Sequence, residues 1–294
     1  MPITKLHFLK TGLQTTIQDG GRTGYQSYGI PISGAMDKQS ANLANLIVGN
    51  EVDTPVLEIT LLGPKIQFEG SCQIAITGAN LSPKINHQPV SNYETINVKD
   101  GAILSFGATQ IGCRSYLAVR GHWQIKKWLD SYSALPNNVE ATPESYIQKE
   151  KPLQIETAPR IPKKILPLDK QPIYPNSLKI KVLPGPEFEQ FSNYTIGYFF
   201  SGTHKITNES NRMGYRLDTR LNDFKPQKEV ISSGIIPGTI QITRAGQPVI
   251  LMSDAQTVGG YYRIANVLTE DLNKLAQLKP GEEVAFILMD WNDL

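Results

Sequence analysis

The sequence predicts a mainly β protein made of two barrel-like halves, each with one or two short helices, related by internal duplication. Three observations support this prediction. Many short apolar runs are bounded by Gly, Asn, Asp or Pro, segments of the first half resemble segments of the second, and a proline-rich stretch lies between the halves. With 294 residues, of which 40% are hydrophobic and 19% charged, the chain can form one large core or two of ordinary size.

Apolar runs bounded by turn residues predict strands in both halves. The predicted strands span residues 66–68, 73–77, 103–106, 115–119, 179–183, 239–243, 249–252 and 284–289. One helix is predicted over 37–48, and Gly49 follows it as a natural end. A shorter helix is predicted over 269–278, with Thr269 as its cap.

Two pairs of segments repeat in the same order and at near-equal spacing. PVLEITLLGPKIQF at 55–68 resembles EVISSGIIPGTIQI at 229–242, and NVKDGAILSFG at 97–107 resembles QLKPGEEVAFI at 277–287. Coincidence between β-rich segments is the alternative, but the shared order favours a duplication. A cleft between two such units is the default place for a ligand.

A proline-rich stretch separates the two halves. Eight of the twenty prolines lie within 136–175, a density that excludes a continuous helix or a central strand. We therefore expect a mostly extended connector. The predicted division is a barrel half at 1–125, a proline-rich connector at 126–176 and a second barrel half at 177–294.

Composition and motifs exclude several functional classes. The net charge of +2 does not suggest a nucleic-acid binder, and no apolar run approaches the ~20 residues that cross a bilayer. The sequence contains no P-loop, HExxH pair, GxSxG elbow or zinc-type ligand set, so no metal site is predicted. The N-terminus lacks the apolar segment of a secretory signal, and Cys72 and Cys113 are predicted to be buried thiols. A cytoplasmic location follows from these features.

Polar residues cluster where one predicted strand ends, in ILMSDAQTVGGYYRIA at 250–265. The candidate site residues here are Asp254, Gln256, Thr257, Gly259 and Gly260. A carboxylate at a strand end can act as a general base or orient an amide, and glycines let a backbone approach a ligand closely. The alternative is a strand, a glycine turn and a strand, and the residues alone leave both open.

The first half offers five further candidates, each with a structural alternative. Gln18 and Arg22 lie in a glycine-rich segment, where an arginine binds a carboxylate or phosphate or closes a turn. Asp37 starts the predicted helix, so it caps the helix or orients an anionic substrate. Glu58 faces away from its apolar neighbours, either into solvent or into a polar pocket, and Asn80 is otherwise a turn former.

The second half places two cations close together in NRMGYRL. Arg212, Tyr215 and Arg216 would suit a clamp for a carboxylate or phosphate group. A solvated turn is the alternative interpretation of this segment.

Six ordered blocks resemble one known family. They are GLQTTIQDGGRTGYQSYGIPISGAMD, ANLANLIVGN, LEITLLGP, NRMGYRL, GTIQITRAGQPVILMSDAQTVGGYYRIA and DLNKLAQLKPGEEV. Together they resemble the C subunit of 5-oxoprolinase, in the biotin-dependent carboxyltransferase-related family also called allophanate hydrolase subunit 2 or KipA. The resemblance covers nearly the whole chain outside the proline-rich middle, and it implies two cyclophilin-like β-barrel halves.

The resemblance also implies a function in a heteromeric complex. Partners that resemble the A and B (KipI-like) subunits of 5-oxoprolinase are expected to open 5-oxo-L-proline to L-glutamate with ATP hydrolysis. For such a complex we predict Asp254, Arg212 and Asp37 as catalytic residues. The predicted substrate-binding residues are Gln18, Arg22, Glu58, Asn80, Tyr215, Arg216, Gln241, Gln256, Thr257, Gly259 and Gly260.

Two other functions are compatible with the same resemblance. One is a carboxyltransferase acting on urea or another small amide, with biotin supplied by a partner because this chain has no biotinyl-type Met-Lys-Met. The other is a KipA-type regulator that binds a KipI-like partner without catalysis. The sequence departs from the family pattern at Val258, at Tyr262 and across 120–160, which predicts either an altered substrate choice or a degenerate loop.

Overall fold

The chain divides into two compact units, and the computed structural model describes residues 2–136, 138–224 and 230–290. Unit 1 consists of Met1–Arg22 and Ser33–Tyr174, and unit 2 consists of Thr23–Ile32 and Pro175–Leu294. Both units are built mainly from strands with few short helices, which confirms the predicted mainly β class. The internal duplication stays a prediction.

Within its described residues, unit 1 contains two antiparallel sheets. Its strands are β1 (Ile3–Lys10), β2 (Gln14–Gln18), β3 (Val56–Thr60), β4 (Lys65–Glu69), β5 (Cys72–Asn80), β6 (Lys84–Ile85), β7 (Gln88–Pro89), β8 (Ile96–Val98), β9 (Ile103–Ser105), β10 (Ile111–Val119), β11 (Gly121–Trp123) and β12 (Leu153–Thr157). One sheet has the order β11-β12-β1-β4-β9-β6-β7 and the other β2-β3-β10-β5-β8. Alternating apolar residues of both sheets, such as Leu6, Phe8, Ile59 and Leu117, form one buried core.

Helix α1 (Lys38–Val48) covers part of the outer face of the five-stranded sheet. Asp37 caps it by accepting a hydrogen bond from the Ser40 N–H at 2.9 Å. Gly49 ends it in the left-handed conformation with φ 73°, where glycine carries no Cβ penalty. The predicted helix and its glycine end are confirmed.

The proline-rich segment folds as a part of unit 1, where the sequence analysis expects a mostly extended connector. Strand β12 pairs with β1 on one side and with β11 on the other. The prolines do not prevent this, because none lies within Leu153–Thr157, where Leu153 and Ile155 point into the core.

Unit 2 contains one large sheet and a short two-stranded ribbon among its described residues. Its strands are β13 (Ser177–Pro184), β14 (His204–Lys205), β15 (Gly214–Arg216), β16 (Ser233–Gly234), β17 (Thr239–Ile242), β18 (Pro248–Leu251), β19 (Val258–Gly259), β20 (Tyr262–Val267) and β21 (Glu283–Leu288). The large sheet has the order β14-β21-β13-β20-β17-β18-β15, and β16 pairs with β19. Strands β13 and β21 run parallel, while the other pairs are antiparallel.

Two α-helices lie within the part of unit 2 that the structure describes. Helix α2 (Asn193–Ser201), which the sequence analysis did not predict, is capped by Ser192. Helix α3 (Thr269–Leu275) begins at the predicted residue, but the predicted capping role of Thr269 is wrong. Leu268 occupies the cap position without a side-chain hydrogen bond, so Thr269 is already the first helical residue.

Both cysteines are buried, as predicted. Burial raises the pKa of the Cys72 thiol to about 12, because a thiolate would be charged in an apolar setting. None of the helices within the described residues has the length and apolar character that crossing a membrane requires.

His204 in β14 makes the stability of unit 2 depend on pH. Its ring packs at a tilt against Phe199 and Phe286, and burial lowers its pKa despite a hydrogen bond to the Phe199 carbonyl. Below pH about 6.5 the unfolded chain takes up a proton that the folded chain resists, so stability falls as the pH drops. Thermal unfolding at pH 7 and pH 5 should show this loss.

The variant His204→Gln should lose much of that pH dependence, while His122→Gln, at an exposed histidine, should keep it. Equal pH slopes for the wild type and the His204 variant would contradict the assignment.

Candidate functional site

Arg212 and Asp254 form a buried, bidentate ion pair in unit 2. The Arg212 Nε donates to Asp254 Oδ2 at 2.7 Å, and its Nη2 donates to Oδ1 at 2.9 Å. The backbone N–H of Asp254 also donates to the Arg212 carbonyl at 2.9 Å. Because each buried charge is compensated by the other, the geometry favours a positioning role for the pair over a general base at Asp254.

Residues close to this pair in the sequence, among them Asn211, Met213 and Gln256, line a cavity of about 210 Å³ in unit 2. Its polar lining residues include Asn211, Arg216, Gln241, Thr243, Gln256 and Tyr261. The structure thus brings together three of the predicted substrate-binding residues, Arg216, Gln241 and Gln256. Arg212 and Asp254 are not among the residues that line this cavity.

Gln241 lies in β17 with only 2% of its surface exposed. Its Nε2 has no hydrogen-bond partner among the described residues. A Cβ at Gly259 would lie 2.6 Å from that nitrogen, so the glycine is required for the amide to fit. The close approach expected at Gly259 is therefore made by a side chain of the same unit.

Other candidates in unit 2 serve packing. The Tyr215 hydroxyl donates to the carbonyls of Ala276 and Leu278 at 3.3 and 3.4 Å. Thr257 is buried, and its carbonyl accepts the Ile235 N–H at 3.0 Å. The hydrogen bonds explain the Tyr215 side chain, whereas the contact of Thr257 is made by its backbone and does not explain the choice of threonine.

Gly260 and Arg263, which follow Gly259 in the chain, have different surroundings. A Cβ at Gly260 would lie 3.1 Å from Ser232 Oγ, a tight but exposed contact. Arg263, which follows the glycines, pairs with Glu187 through its N–H, Nε and Nη2. Burial raises the pKa of Glu187, but these hydrogen bonds outweigh it and hold the pKa below its usual value.

In unit 1, Glu58 lies in a row of polar side chains across the outer face of the five-stranded sheet. The strand register aligns it with Thr16 of β2 and Tyr116 of β10. Its Oε2 accepts the Met36 N–H at 2.8 Å and the Tyr116 hydroxyl at 2.9 Å, and Arg114 Nε lies 3.7 Å from Oε1. Glu58 is 1% exposed, so its side chain faces a polar pocket and not solvent.

Asp37 joins the helix cap to a chain of hydroxyl groups. Its Oδ2 accepts the Ser40 hydroxyl at 2.6 Å, and Ser40 Oγ lies 2.7 Å from the Tyr174 hydroxyl. The Tyr93 hydroxyl lies 3.2 Å from the Tyr174 hydroxyl. Burial, followed by the Asp37 charge, raises the pKa of Tyr174 far above its usual value, so the phenol stays neutral. The helix cap accounts for Asp37 without a ligand.

Gln18 and Arg22 are both buried in unit 1. The Gln18 Nε2 donates to Thr16 Oγ1 at 2.9 Å, while its Oε1 has no partner among the described residues. The Arg22 guanidinium donates to the Ser133 carbonyl and lies over the Trp128 ring, 5.2 Å from its centre. These contacts tie Arg22 to the proline-rich segment.

Asn80 is exposed and forms a turn. Its Oδ1 accepts the Ser82 N–H at 2.9 Å, the contact expected of a turn-forming asparagine. It also borders a separate cavity of unit 1 that Tyr93 and Tyr174 line.

Sequence reasoning missed five residues of the unit 1 network. They are Ser40, Tyr93, Arg114, Tyr116 and Tyr174. Arg114 and Tyr116 carry a signal, because they alternate with Cys113, Ser115 and Leu117 on one strand and share a face with period two. Ser40 and Tyr174 lie 134 residues apart, and no local pattern relates them.

The Tyr116 hydroxyl holds this network together, since it donates to Glu58 and accepts the Asp37 N–H at 2.8 Å. Removing it in Tyr116→Phe leaves two buried groups short of a partner, and we expect a loss of about 1–3 kcal/mol in the free energy of unfolding. Chemical denaturation measures this loss. Tyr28→Phe, at a tyrosine that is 78% exposed, is the control and should unfold like the wild type. An unchanged Tyr116→Phe midpoint would show that the hydroxyl is dispensable.

Comparison with known proteins places this geometry in context. The family model described as carboxyltransferase domain, subdomain A and B, matches residues 28–288. The chain is 35% identical to the C subunit of the Escherichia coli 5-oxoprolinase over 283 residues, which cover 96% of this chain and 90% of that protein.

Urea-metabolising enzymes are also similar, but only over a part of their length. The chain is 32% identical to the urea amidolyase of Saccharomyces cerevisiae, over 98% of this chain and 17% of that protein. The crystal structure of the Kluyveromyces lactis urea carboxylase superimposes with a TM-score of 0.89 at 31% identity, over 98% of this chain and 28% of that chain.

Proposed function

The chain belongs to the family of carboxyltransferase domains with subdomains A and B, and we propose on that premise that it is the C subunit of an ATP-dependent 5-oxoprolinase. Together with proteins that resemble the A and B subunits it would convert 5-oxo-L-proline to L-glutamate in the cytoplasm. One observation carries this proposal. The 35% identity to a protein named as the C subunit of 5-oxoprolinase extends over 96% of this chain and 90% of that protein.

The chemistry of the proposed reaction sets requirements for the complex. An unstrained lactam opens slowly near neutral pH, so its oxygen first takes the γ-phosphoryl group of ATP, and ADP leaves. Water then adds to the activated carbon, the carbon–nitrogen bond breaks to release the amine, and hydrolysis of the resulting acyl phosphate gives glutamate and phosphate. Cations and amide groups must hold the anionic substrate and phosphates during these steps.

The cavity in unit 2 supports a substrate-binding role for this chain. Arg216 supplies a cation, and Gln241 and Gln256 supply amide groups at its wall. Arg212 and Asp254 would hold this wall in place, since Asn211 next to Arg212 and Gln256 two residues after Asp254 line the cavity. We therefore assign the pair a positioning role. The sequence has no P-loop, so any ATP phosphate bound by this chain would depend on arginines and backbone N–H groups.

A second candidate function is transfer of a carboxyl group to urea or another small amide. The TM-score of 0.89 to the Kluyveromyces lactis urea carboxylase favours it. Biotin would be carried by a partner protein in this case, because the chain has no biotinyl-type Met-Lys-Met sequence.

Reconstitution separates the two functions. The chain is combined with its A-type and B-type partner proteins, and glutamate and ADP are measured with 5-oxoproline and ATP. In a second arm the chain is combined with a biotinylated carrier, a biotin carboxylase, bicarbonate, ATP and urea, and allophanate is measured. The proposal expects product in the first arm alone, and product in the second arm alone would replace it with the carboxyltransferase function.

A further inference from the structure

We propose that the Arg216–Gln241 cavity of unit 2 binds the carboxylate group of the substrate, so that the site selects small carboxylate-bearing lactams over neutral amides such as urea. The inference rests on the proposed function, which it deepens by naming the recognised group. Three features of the cavity support the inference: its size, a buried amide donor, and a cation whose neighbouring carboxylate binds it only weakly.

The cavity suits a small polar molecule. Its volume of about 210 Å³ lies below the range of about 300–1,000 Å³ that is typical of sites for drug-sized ligands. Among the described residues that line it, none is acidic, and the polar ones contribute amide, hydroxyl or guanidinium groups. Such a lining repels no anion.

The Gln241 amide supplies an unsatisfied donor. Its Nε2 is buried without a hydrogen-bond partner among the described residues, although buried polar groups are nearly always paired. It lies in β17, in a strand held on both sides by β18 and β20. The strand pairing fixes the backbone that carries this amide, and we expect a carboxylate oxygen bound in the cavity to accept a hydrogen bond from it.

Arg216 supplies a cation that is open to a ligand. Its Nε lies 3.8 Å from Glu209 Oε2, which is too long for a hydrogen bond, and the Glu209 side chain is 76% exposed. An exposed pair of this kind contributes little, so a bound carboxylate competes with it easily. The planar guanidinium can then form two parallel hydrogen bonds to the carboxylate.

The two candidate substrates, 5-oxoprolinate and urea, differ in whether they carry a carboxylate group. The 5-oxoprolinate ion carries a carboxylate beside its lactam ring, whereas urea carries none. A site that fixes the carboxylate would orient the lactam relative to it, and a neutral amide would lack this anchor. The ring analogue pyrrolidin-2-one isolates the effect, because it has the same lactam without the carboxylate.

The test measures binding to the full chain and turnover by the reconstituted complex, with 5-oxoprolinate and pyrrolidin-2-one as probes. The variant Arg216→Gln should weaken 5-oxoprolinate binding and raise KM by roughly ten- to a hundredfold, as expected for a lost hydrogen bond between charged groups. Arg220→Gln removes the same charge from an exposed arginine outside the cavity lining and should match the wild type. The wild type should bind pyrrolidin-2-one far more weakly than 5-oxoprolinate.

A second variant guards against a folding defect. Gln241→Glu keeps the size of the side chain but replaces the donor by a carboxylate, so it should repel 5-oxoprolinate while thermal unfolding verifies the fold.

Equal effects of the Arg216 and Arg220 variants in a complex that makes glutamate would overturn the inference and leave the proposed function intact. A wild-type complex without turnover would refute the proposed function, and binding of 5-oxoprolinate to the chain would then decide the inference. The inference would also be overturned if the chain bound 5-oxoprolinate and pyrrolidin-2-one equally well, or bound neither of them.

Discussion

Replacing Asp254 by asparagine should lower the free energy of unfolding by about 3–5 kcal/mol, because it leaves the Arg212 charge buried without its counter-charge. Denaturant unfolding measures the loss. Glu209→Gln removes a carboxylate 3.8 Å from Arg216 at the surface, and it should change stability by no more than about 0.5 kcal/mol.

A double variant separates a structural from a chemical role of the pair. In Arg212→Met with Asp254→Leu both buried charges are gone, and apolar side chains fill a similar volume. Much of the lost stability should return relative to Asp254→Asn. If Asp254→Asn instead unfolded like the wild type while turnover by the complex vanished, Asp254 would act in the chemistry and the positioning role would be wrong.

Replacing Asp19 by alanine should cost a similar amount, about 3–5 kcal/mol, and should loosen the proline-rich segment. The buried carboxylate accepts hydrogen bonds from the Gly21 N–H, the Tyr132 N–H and the hydroxyls of Ser131 and Ser133. Without it, these donors lose their common acceptor, and the segment keeps fewer contacts with the β2 region, among them the hydrogen bond that the Ala134 N–H donates to the Ile17 carbonyl at 3.0 Å. Denaturant unfolding and amide hydrogen exchange across residues 131–133 measure the two effects.

The control for this variant is Asp100→Ala. Its carboxylate is exposed and accepts the Gly70 N–H, a single backbone contact at 2.6 Å. The expected loss is about 1 kcal/mol. Equal losses at Asp19 and Asp100, or unchanged exchange at 131–133, would contradict the role given to Asp19.

Local patterns in the sequence predict much of the fold. The helix over 37–48 is recognisable because a capping acid precedes it and Gly49 ends it. Apolar runs bounded by turn residues locate β10 and β21 to within a few residues. Strand β12 escapes prediction, since the surrounding prolines hide a short proline-free run whose partner is the N-terminal strand β1.

The site is less predictable, because its contacts join distant parts of the chain. Arg212 and Asp254 are each visible as candidates, but only the folded chain shows that they pair across 42 residues and compensate each other. Glu58 is identified by the strand alternation alone, whereas its partners Tyr116 and Met36 depend on strand register. The polarity of the cavity also depends on which side chains β15, β17 and the loops beside them bring together.

The most direct test of the account is a titration of this chain into fixed amounts of its A-type and B-type partner proteins, with glutamate and ADP measured together from 5-oxoprolinate and ATP. Both products should rise in step with the added chain and reach a plateau once the complex is saturated. Glutamate formation at the full rate without the chain, or ADP release with no glutamate at any amount of it, would contradict the claim that this carboxyltransferase-family protein is a working part of a 5-oxoprolinase.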